Sequence, residues 1–302
     1  MTGLILKSTG SWYDVLGEDD KIYQGRVRGK LRIMDLKSTN PVAVGDRVEM
    51  EISGEDAVIK DILPRENFII RQSVHKKGHL HILAANLDQA VLIATLSYPR
   101  TSLGFIDRFL VSAEAFRIPQ VIIFNKADRL SDKETRKVEE LMKMYEQIGI
   151  TCLQTSAKTN VGIEEFHDLL KGKKSLIAGH SGVGKSTLIN LLAPEIDQKT
   201  AEVSDFANKG VHTTTFAEMF RVNQDTFIID TPGIKELALA NIPPQELGDY
   251  FPEIRAVRSE CKFNNCLHLK EPGCAVKQAV QDGEINPLRY KSYLSMLDGD
   301  KK

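Results

Sequence analysis

The sequence predicts an α/β protein in three parts: a small N-terminal β-barrel, a central domain on a parallel sheet, and a partly helical C-terminal region. Buried-strand runs such as 89–96 and 120–124 alternate with amphipathic helical stretches, which indicates a parallel sheet covered by helices. Short β-type runs come before this pattern, and clustered cysteines follow it. The predicted boundaries are 1–69, 70–235 and 236–302.

The composition is that of an ordinary globular protein. The chain has 302 residues, of which 42% are hydrophobic and 27% charged. No apolar run approaches the roughly 20 residues that a membrane helix needs, and no signal segment is evident, so we expect a cytoplasmic protein with no membrane contact. We also expect a monomer. Because the formal net charge is −1, any binding of nucleic acid must use local patches.

Residues 179–186 match the phosphate-binding loop GxxxxGK[ST] and lie between a predicted strand, 173–178, and a helix. Glycines let the backbone N–H groups turn around phosphates, and the helix N-terminus supplies further donors. We expect Lys185 to contact the β- and γ-phosphates and Ser186 to ligate Mg²⁺. The predicted nucleotide contacts here are Gly179, Ser181, Gly182, Val183, Gly184, Lys185, Ser186 and Thr187.

Two further strings predict recognition of guanine. The tetrapeptide Asn125-Lys126-Ala127-Asp128 follows the strand at 120–124 and matches NKxD. The Asp128 carboxylate can accept two hydrogen bonds from guanine N1–H and N2–H₂, which adenine cannot offer. Asn125 is expected to read the base as well, and the Lys126 stem to cover it. The tripeptide Ser156-Ala157-Lys158 follows the strand at 149–154 and resembles the loop whose backbone N–H groups bind guanine O6.

Two strings predict contacts with the γ-phosphate and Mg²⁺. Asp230-Thr231-Pro232-Gly233 resembles DxxG, in which Asp230 would hold Mg²⁺ through water and the Gly233 N–H would meet the γ-phosphate. A switch threonine is expected between the phosphate loop and this string. Thr214 is the predicted switch residue and Mg²⁺ ligand, with Thr213 as the alternative.

The order of these strings predicts the topology. An ordinary GTPase runs phosphate loop, switch, DxxG, NKxD and SAK, whereas this chain runs NKxD, SAK, phosphate loop, switch and DxxG. The central domain is therefore predicted to be a circularly permuted P-loop GTPase domain, with the former termini joined near 171–174. Permutation makes the second switch lead directly into the C-terminal region, so we hypothesise that the nucleotide state is passed to that region.

A metal site is predicted in the C-terminal region from Cys261, Cys266, His268 and Cys274, spaced as CX₄CXHX₅C. Three thiolates and an imidazole suit one structural tetrahedral Zn²⁺. Disulfides or unpaired thiols are the competing interpretations, although three clustered cysteines cannot form disulfides among themselves without one left over. A region of about 65 residues cannot bury a large core alone, so the metal is expected to stabilise the fold. Cys152, in an apolar strand, is expected to be a buried thiol.

The N-terminal runs predict an oligonucleotide-binding (OB) type of barrel with four or five strands. The predicted runs are 11–16, 21–27, 44–52 and 56–62. Four basic residues alternate along one stretch: Arg26, Arg28, Lys30 and Arg32. Beside Trp12, Tyr13 and Tyr23 they would suit single-stranded RNA, with bases stacked on the rings. The alternative, in which these aromatics fill the barrel core, stays open.

A small barrel, a permuted GTPase domain and a CX₄CXHX₅C cluster together resemble the ribosome small-subunit-dependent GTPase A (RsgA) family. The resemblance covers essentially the whole chain. It implies a cytoplasmic GTPase that binds the 30S subunit and its 16S rRNA, assists late maturation of that subunit, and is stimulated by it. Two alternatives remain: an RNA-binding nucleotide switch in which hydrolysis is incidental, and a GTPase acting on another RNA assembly.

Hydrolysis without a partner is predicted to be slow. Many GTPases place a glutamine directly after DxxG to orient water, whereas this chain has Ile234 there. His212, beside the switch threonines, is the nearest group able to position water, and the resemblance points to the same residue; an exposed histidine without a catalytic part is the alternative. Lys185 and Thr214 complete the predicted catalytic set. No predicted contact engages the ribose 3′ side, so we also hypothesise that GDP-like alarmones with a 3′-pyrophosphate compete with GTP and GDP.

Overall fold

The structure, a computed structural model, describes residues 1–28, 41–54, 56–72, 80–193, 217–230 and 242–299. His212, Thr213, Thr214 and Gly233 lie outside these ranges, and so do Lys30 and Arg32. The predicted fold class is confirmed: a five-stranded barrel, a parallel sheet with helices in permuted order, and a C-terminal region holding a Cys₃His cluster. Among the described helices, none is long and apolar enough to cross a membrane.

The barrel closes because its last strand in space pairs back with its first. Its strands are β1 (Thr2–Ser8), β2 (Tyr13–Gly17), β3 (Ile22–Val27), β4 (Arg47–Ser53) and β5 (Asp56–Ile62). They run in the order β1-β2-β3-β5-β4, and β4 also pairs with β1. The interior is so narrow that a Cβ on Gly3 or Gly25 would lie 2.5 or 2.8 Å from Val15. Tyr13 and Tyr23 are buried in this core, so for these two aromatics the core interpretation is correct.

A hairpin of β6 (Phe68–Gln72) and β7 (Leu80–Ala85) follows the barrel. The turn before β4 meets it closely: Gly45 has φ +88°, and a Cβ there would lie 2.1 Å from the Ala85 carbonyl oxygen. The segment between barrel and hairpin is anchored as well, because Arg65 donates to both carboxylate oxygens of buried Asp46 at 2.7 Å. These bonds hold the barrel firmly against the start of the central domain.

The central sheet contains six strands in the order β10-β9-β8-β11-β13-β12, and all its neighbours are parallel except β12 and β13. The strands are β8 (Gln89–Ala94), β9 (Gln120–Phe124), β10 (Thr151–Gln154), β11 (Lys174–Ala178), β12 (Glu218–Arg221) and β13 (Phe227–Asp230). The helices are α1 (Leu103–Ala115), α2 (Asp132–Glu146), α3 (Ile163–Leu170) and α4 (Lys185–Leu192). Every residue of β8 and β9 is buried, which explains the apolar run that follows the first glutamine of each strand.

The barrel and the central sheet form one continuous sheet of eleven strands. The join is antiparallel pairing of β1 with β12, in which Lys7 faces Glu218. The Lys7 ammonium lies 3.0 Å from the Glu218 carboxylate, and Arg221 forms an ion pair with Asp20 of the barrel. Residues 194–216, where the switch threonine is predicted, lead in sequence to β12. One edge of β12 pairs with β13, and its other edge pairs with β1 of the barrel.

The C-terminal region packs three helices around the cysteine cluster and against α1. They are α5 (Pro252–Val257), α6 (Ala275–Gln281) and α7 (Pro287–Leu297). Their shared core includes Phe251, Ile254 and Tyr293 together with Val111 of α1. Pro287 begins α7, and the Asn286 side chain accepts from the Leu288 N–H at 2.9 Å, which caps that helix.

Candidate nucleotide and metal sites

The phosphate loop connects β11 to α4, and close contacts require two of its glycines, Gly179 and Gly184. Gly179, Gly182 and Gly184 have φ values of +152°, +83° and +97°. A Cβ on Gly179 would lie 2.4 Å from the Ile93 carbonyl oxygen, and a Cβ on Gly184 would lie 2.5 Å from Asn125 Nδ2. Side chains at these positions would push the loop away from its neighbours, so the sequence GxxxxGK fits a packing need as well as a phosphate-binding one.

Lys185 folds over the loop that precedes it. Its Nζ donates to the Gly179 carbonyl at 2.9 Å and to the His180 carbonyl at 3.4 Å. Burial lowers the pKa of this ammonium, and the Asp230 carboxylate opposes that shift. Asp230 stands at the end of β13, in register with Ile177 of β11, so the predicted Mg²⁺-water ligand and the phosphate lysine share one edge of the sheet. Phosphate oxygens there would stabilise the charged lysine.

Direct side-chain bonds join the NKxD string to the phosphate loop. The Asn125 amide donates to the Val183 carbonyl at 2.9 Å and accepts from the Thr155 hydroxyl at 3.0 Å. Lys126 Nζ donates to the Gly182 carbonyl at 2.5 Å. Asn125 therefore holds three loops together, and the Lys126 stem crosses the space between the base-reading and phosphate-binding strings.

Asp128 and the Ser156-Ala157-Lys158 loop meet directly. The Ser156 hydroxyl donates to Asp128 Oδ1 at 2.7 Å and accepts from the Thr159 N–H at 3.2 Å. The Ser156 bond lowers the pKa of the Asp128 carboxyl, which keeps it ionised as an acceptor. Ser156 is buried whereas Asp128 is exposed, so one carboxylate edge is fixed by the protein and the group stays accessible to a base.

Sequence reasoning missed the turn between β8 and α1, which also borders the phosphate loop. Lys126 Nζ donates to the Tyr98 carbonyl at 2.8 Å, and a Cβ on Gly182 would lie 3.5 Å from the Pro99 ring. The Phe105 ring in the first turn of α1 lies 3.9 Å from the His180 ring, centroid to centroid. The available signals were a Tyr-Pro pair after a strand and the Ser102 cap of α1.

The four predicted metal ligands form one buried cluster, with all ligand atoms within 4.8 Å of one another. His268 Nδ1 lies 3.6 Å from Cys261 Sγ and 3.4 Å from Cys274 Sγ, and those sulfurs are 4.0 Å apart. Tetrahedral Zn²⁺, with Zn–S near 2.3 Å and Zn–N near 2.0 Å, separates its ligands by roughly 3.5–3.8 Å. The donor set and its spacing therefore fit this ion.

The backbone around the cluster is fixed by polar side chains. The Glu271 carboxylate accepts from the N–H groups of Leu267, Leu269 and Lys270 at 2.8–2.9 Å. From α7, the Tyr290 hydroxyl donates to the His268 carbonyl at 2.5 Å and the Tyr293 hydroxyl to the Leu267 carbonyl at 3.0 Å. These bonds fix the orientation of the ligand loop.

Family models match two parts of this chain. A family model described as RsgA GTPase matches residues 62–240, and one described as RsgA N-terminal domain matches residues 2–59. The chain belongs to the RsgA GTPase family. Members of this family hydrolyse GTP. In this chain the guanine and phosphate motifs lie in permuted order on the strands of the central sheet.

Similar proteins and similar solved structures cover nearly the whole chain. A protein named small ribosomal subunit biogenesis GTPase RsgA from Bacteroides fragilis is 50% identical over 99% of this chain and 96% of its own. Its namesake from Cytophaga hutchinsonii is 50% identical over 98% of both chains. The crystal structure of YjeQ from Thermotoga maritima has a TM-score of 0.80 at 36% identity, covering 98% and 97% of the two chains. YloQ, described as a circularly permuted GTPase, has a TM-score of 0.76 at 32% identity, covering 98% and 93%.

The structure of this RsgA-family chain brings most predicted nucleotide residues to one end of the sheet. Ser181, Ser186, Thr187 and Lys158 are exposed there, whereas Val183 is buried and holds the loop. His212, Thr214 and Gly233 fall outside the described residues. On the barrel, the Arg26 guanidinium lies 3.5 Å above the Trp12 ring, and Arg26 and Arg28 are exposed. Of the three barrel aromatics considered for RNA, Trp12 is half-buried, whereas Tyr13 and Tyr23 are buried.

Proposed function

We propose that this RsgA-family GTPase binds the small (30S) ribosomal subunit through its 16S rRNA, assists late maturation of that subunit, and is stimulated by it. The observation that carries the GTP-binding part of the proposal is the direct bonding among the base-reading and phosphate-binding loops. Lys126 Nζ lies 2.5 Å from the Gly182 carbonyl, and Ser156 Oγ lies 2.7 Å from Asp128 Oδ1. Relatives whose names state small-subunit biogenesis support the choice of partner.

Guanine would be read between the 125–128 string and the 156–158 loop. Asp128 would accept from the base, the backbone of Ala157 and Lys158 would face O6, and the Lys126 stem would cover one ring face. Asn125 would act by fixing the loops, since its amide is bonded to Val183 and Thr155. This arrangement favours guanine, whose N1–H and N2–H₂ can donate to Asp128, over adenine, which lacks these donors.

The phosphates would lie over the N-terminus of α4. Lys185 would exchange its bonds to loop carbonyls for bonds to the β- and γ-phosphates. Ser186, Thr214 and, through water, Asp230 would hold Mg²⁺, which neutralises charge on the phosphates when bound. The Gly233 N–H would meet the γ-phosphate, and His212 would position water. A His212→Ala variant is expected to bind GTP normally and lose subunit-stimulated turnover; full turnover would contradict that role.

A structural zinc ion would occupy the Cys₃His cluster. All four ligands are protein side chains, so no position is left for a reacting water. Zn²⁺ would offset two of the three negative charges of the cysteine thiolates, which are buried. Its part in the protein is to stabilise the C-terminal fold.

The flanking parts would carry the contacts with rRNA. We assign them to residues 1–69 and 236–302, with 70–235 as the GTPase domain, in a monomer of the cytoplasm, where ribosomal subunits mature. On the barrel, the Trp12 ring and the Arg26 guanidinium lie together. Proteins that bind single-stranded nucleic acid combine such rings, which stack on bases, with cations that contact phosphates. Alarmones with a 3′-pyrophosphate are proposed competitors of GDP; lack of displacement in a titration with labelled GDP would contradict this.

Co-sedimentation with purified subunits tests the proposed partner. We expect the protein to pellet with small subunits in the presence of a non-hydrolysable GTP analogue, less with GDP, and not with large subunits. Equal binding to both subunits would favour another RNA assembly as the target. Absence of binding to the small subunit in every nucleotide state would contradict the proposal.

A further inference from the structure

Helix α1 touches the phosphate loop at one end. Its first turn carries Phe105, whose ring lies 3.9 Å from the ring of His180 at an interplanar angle of 33°. The Ser102 hydroxyl accepts from the Phe105 N–H at 3.2 Å and caps the helix. The Phe105 ring therefore belongs to a regular first helical turn. A shift of the phosphate loop at His180 would therefore act directly on helix α1.

The same helix is bonded to the C-terminal region by buried charge. Asp107 accepts from Arg289 Nη1 at 2.6 Å and from the Tyr145 hydroxyl at 2.9 Å. Arg289 also donates to Glu253 at 2.7 Å, and its guanidinium lies 4.7 Å from the Phe251 ring centroid. Asp107 and Arg289 are each 1% exposed.

A buried ion pair of this kind resists separation. Pulling Asp107 from Arg289 would leave uncompensated charge in a dry interface, which is strongly unfavourable. Helix α1 and the C-terminal helices α5 and α7 are thus expected to move together. The contact is independent of residues 231–241, which connect the central domain to the C-terminal region in sequence.

We infer that α1 couples occupancy of the phosphate loop to the C-terminal region, with Phe105 and Asp107 as its positioning residues. The inference rests on the proposed nucleotide site. A nucleotide that orders the loop around His180 would restrain α1 through Phe105, and α1 would restrain α7 through Asp107 and Arg289. Because such coupling is reciprocal, a partner that engages the C-terminal region would change nucleotide affinity by the same factor.

Hydrogen exchange of α7, residues Pro287–Leu297, measured with and without GDP tests this coupling on the full-length protein. We expect GDP to slow exchange in α7 about fivefold in the wild-type chain, the low end of typical coupling. Phe105→Leu, which removes the ring, and His180→Ala, which removes its partner, should each abolish the GDP effect on α7. Phe105→Tyr keeps a ring and should retain it.

Glu114→Gln is the matched control. It removes an ion pair between α1 and Arg255 of α5, 2.7 Å long and partly exposed, that lies at the same interface but away from the loop. This variant should keep the GDP effect on α7. An unchanged GDP effect in both Phe105→Leu and His180→Ala, or a wild-type α7 indifferent to bound GDP, would overturn the inference. Failure to bind GDP at all would instead overturn the proposed nucleotide site.

Discussion

Lys126 shows how single side chains assemble this site. One ammonium donates to carbonyls of two separate loops, at Gly182 and Tyr98. Its carbon stem must then lie across the gap between those loops and Asp128, where a base is proposed to bind. Replacement by a shorter cation would lose both bonds, so the residue acts on loop geometry as well as on the base.

Asp128→Asn is expected to move nucleotide preference from guanine toward xanthine. The substitution replaces one acceptor oxygen by a donor, and xanthine offers a carbonyl where guanine has its amino group. Displacement of labelled GDP by GDP and by XDP measures the change. We expect GDP affinity to fall by at least about tenfold, or 1.4 kcal/mol, while XDP affinity rises. Unchanged preference would contradict the role of Asp128.

Glu134 is expected to titrate far below an ordinary glutamate. The Ser97 hydroxyl, at 2.5 Å, and the N–H and hydroxyl of Ser131 donate to it and lower its pKa from 4.5 to about 2. Because the folded pKa is the lower one, the stabilisation is present above pH 4.5 and is lost as pH falls toward 2. Carboxyl NMR should give a midpoint near 2; a midpoint near 4.5 would contradict the bonding.

Residues that belong to short motifs were predictable from sequence, and those that depend on the shape of a turn were not. Lys185, Asp128 and Ser156 are fixed by spacing to strand ends, and the structure brings them to one edge of the sheet. The contacts of Tyr98 and Phe105 depend on how the chain leaves β8. No local pattern of residue types encodes that path.

At the scale of elements, periodicity predicted the regular ones. Helix α2, one of the helical stretches between the predicted strands, spans Asp132–Glu146, and a capping box of Ser131 and Glu134 begins it. Strand β1 was not among the predicted runs, because a register shift between Ile5 and Lys7 breaks its alternation of buried and exposed residues. The hairpin of β6 and β7 was missed as well.

The C-terminal helices are expected to lose their order when metal is removed. Three cysteine ligands belong to the same buried cluster as Phe251 and Tyr293, so loosening them opens the core. We expect about one zinc per chain by elemental analysis, and rapid protease cleavage within 242–299 after chelation, while the central domain stays resistant. Cys261→Ser should behave like the chelated protein. A metal-free protein with a protease-resistant C-terminal region would contradict this role.

At the scale of the whole molecule, both flanks are attached to elements next to the nucleotide site. The barrel pairs with β12 through Lys7 and Glu218, and the C-terminal region is bonded to α1 through Arg289. Burial acts to lower the pKa of Arg289, but the two carboxylates outweigh it and raise that pKa, so the guanidinium stays charged. Burial raises the pKa of Asp107, and the charge of Arg289 opposes that shift. Motif order predicted the permutation. The pairing of β1 with β12 was not predictable, because no sequence pattern marks the place where Lys7 and Glu218 meet.

GTP turnover by the wild-type protein, with and without purified small ribosomal subunits, tests whether the small subunit stimulates this GTPase. Since Ile234 stands where many GTPases have a glutamine, we expect slow turnover by the protein alone. Small subunits should raise it by at least about tenfold, a barrier lowered by about 1.4 kcal/mol, and large subunits should not. Turnover unaffected by small subunits, or raised equally by large ones, would contradict the account.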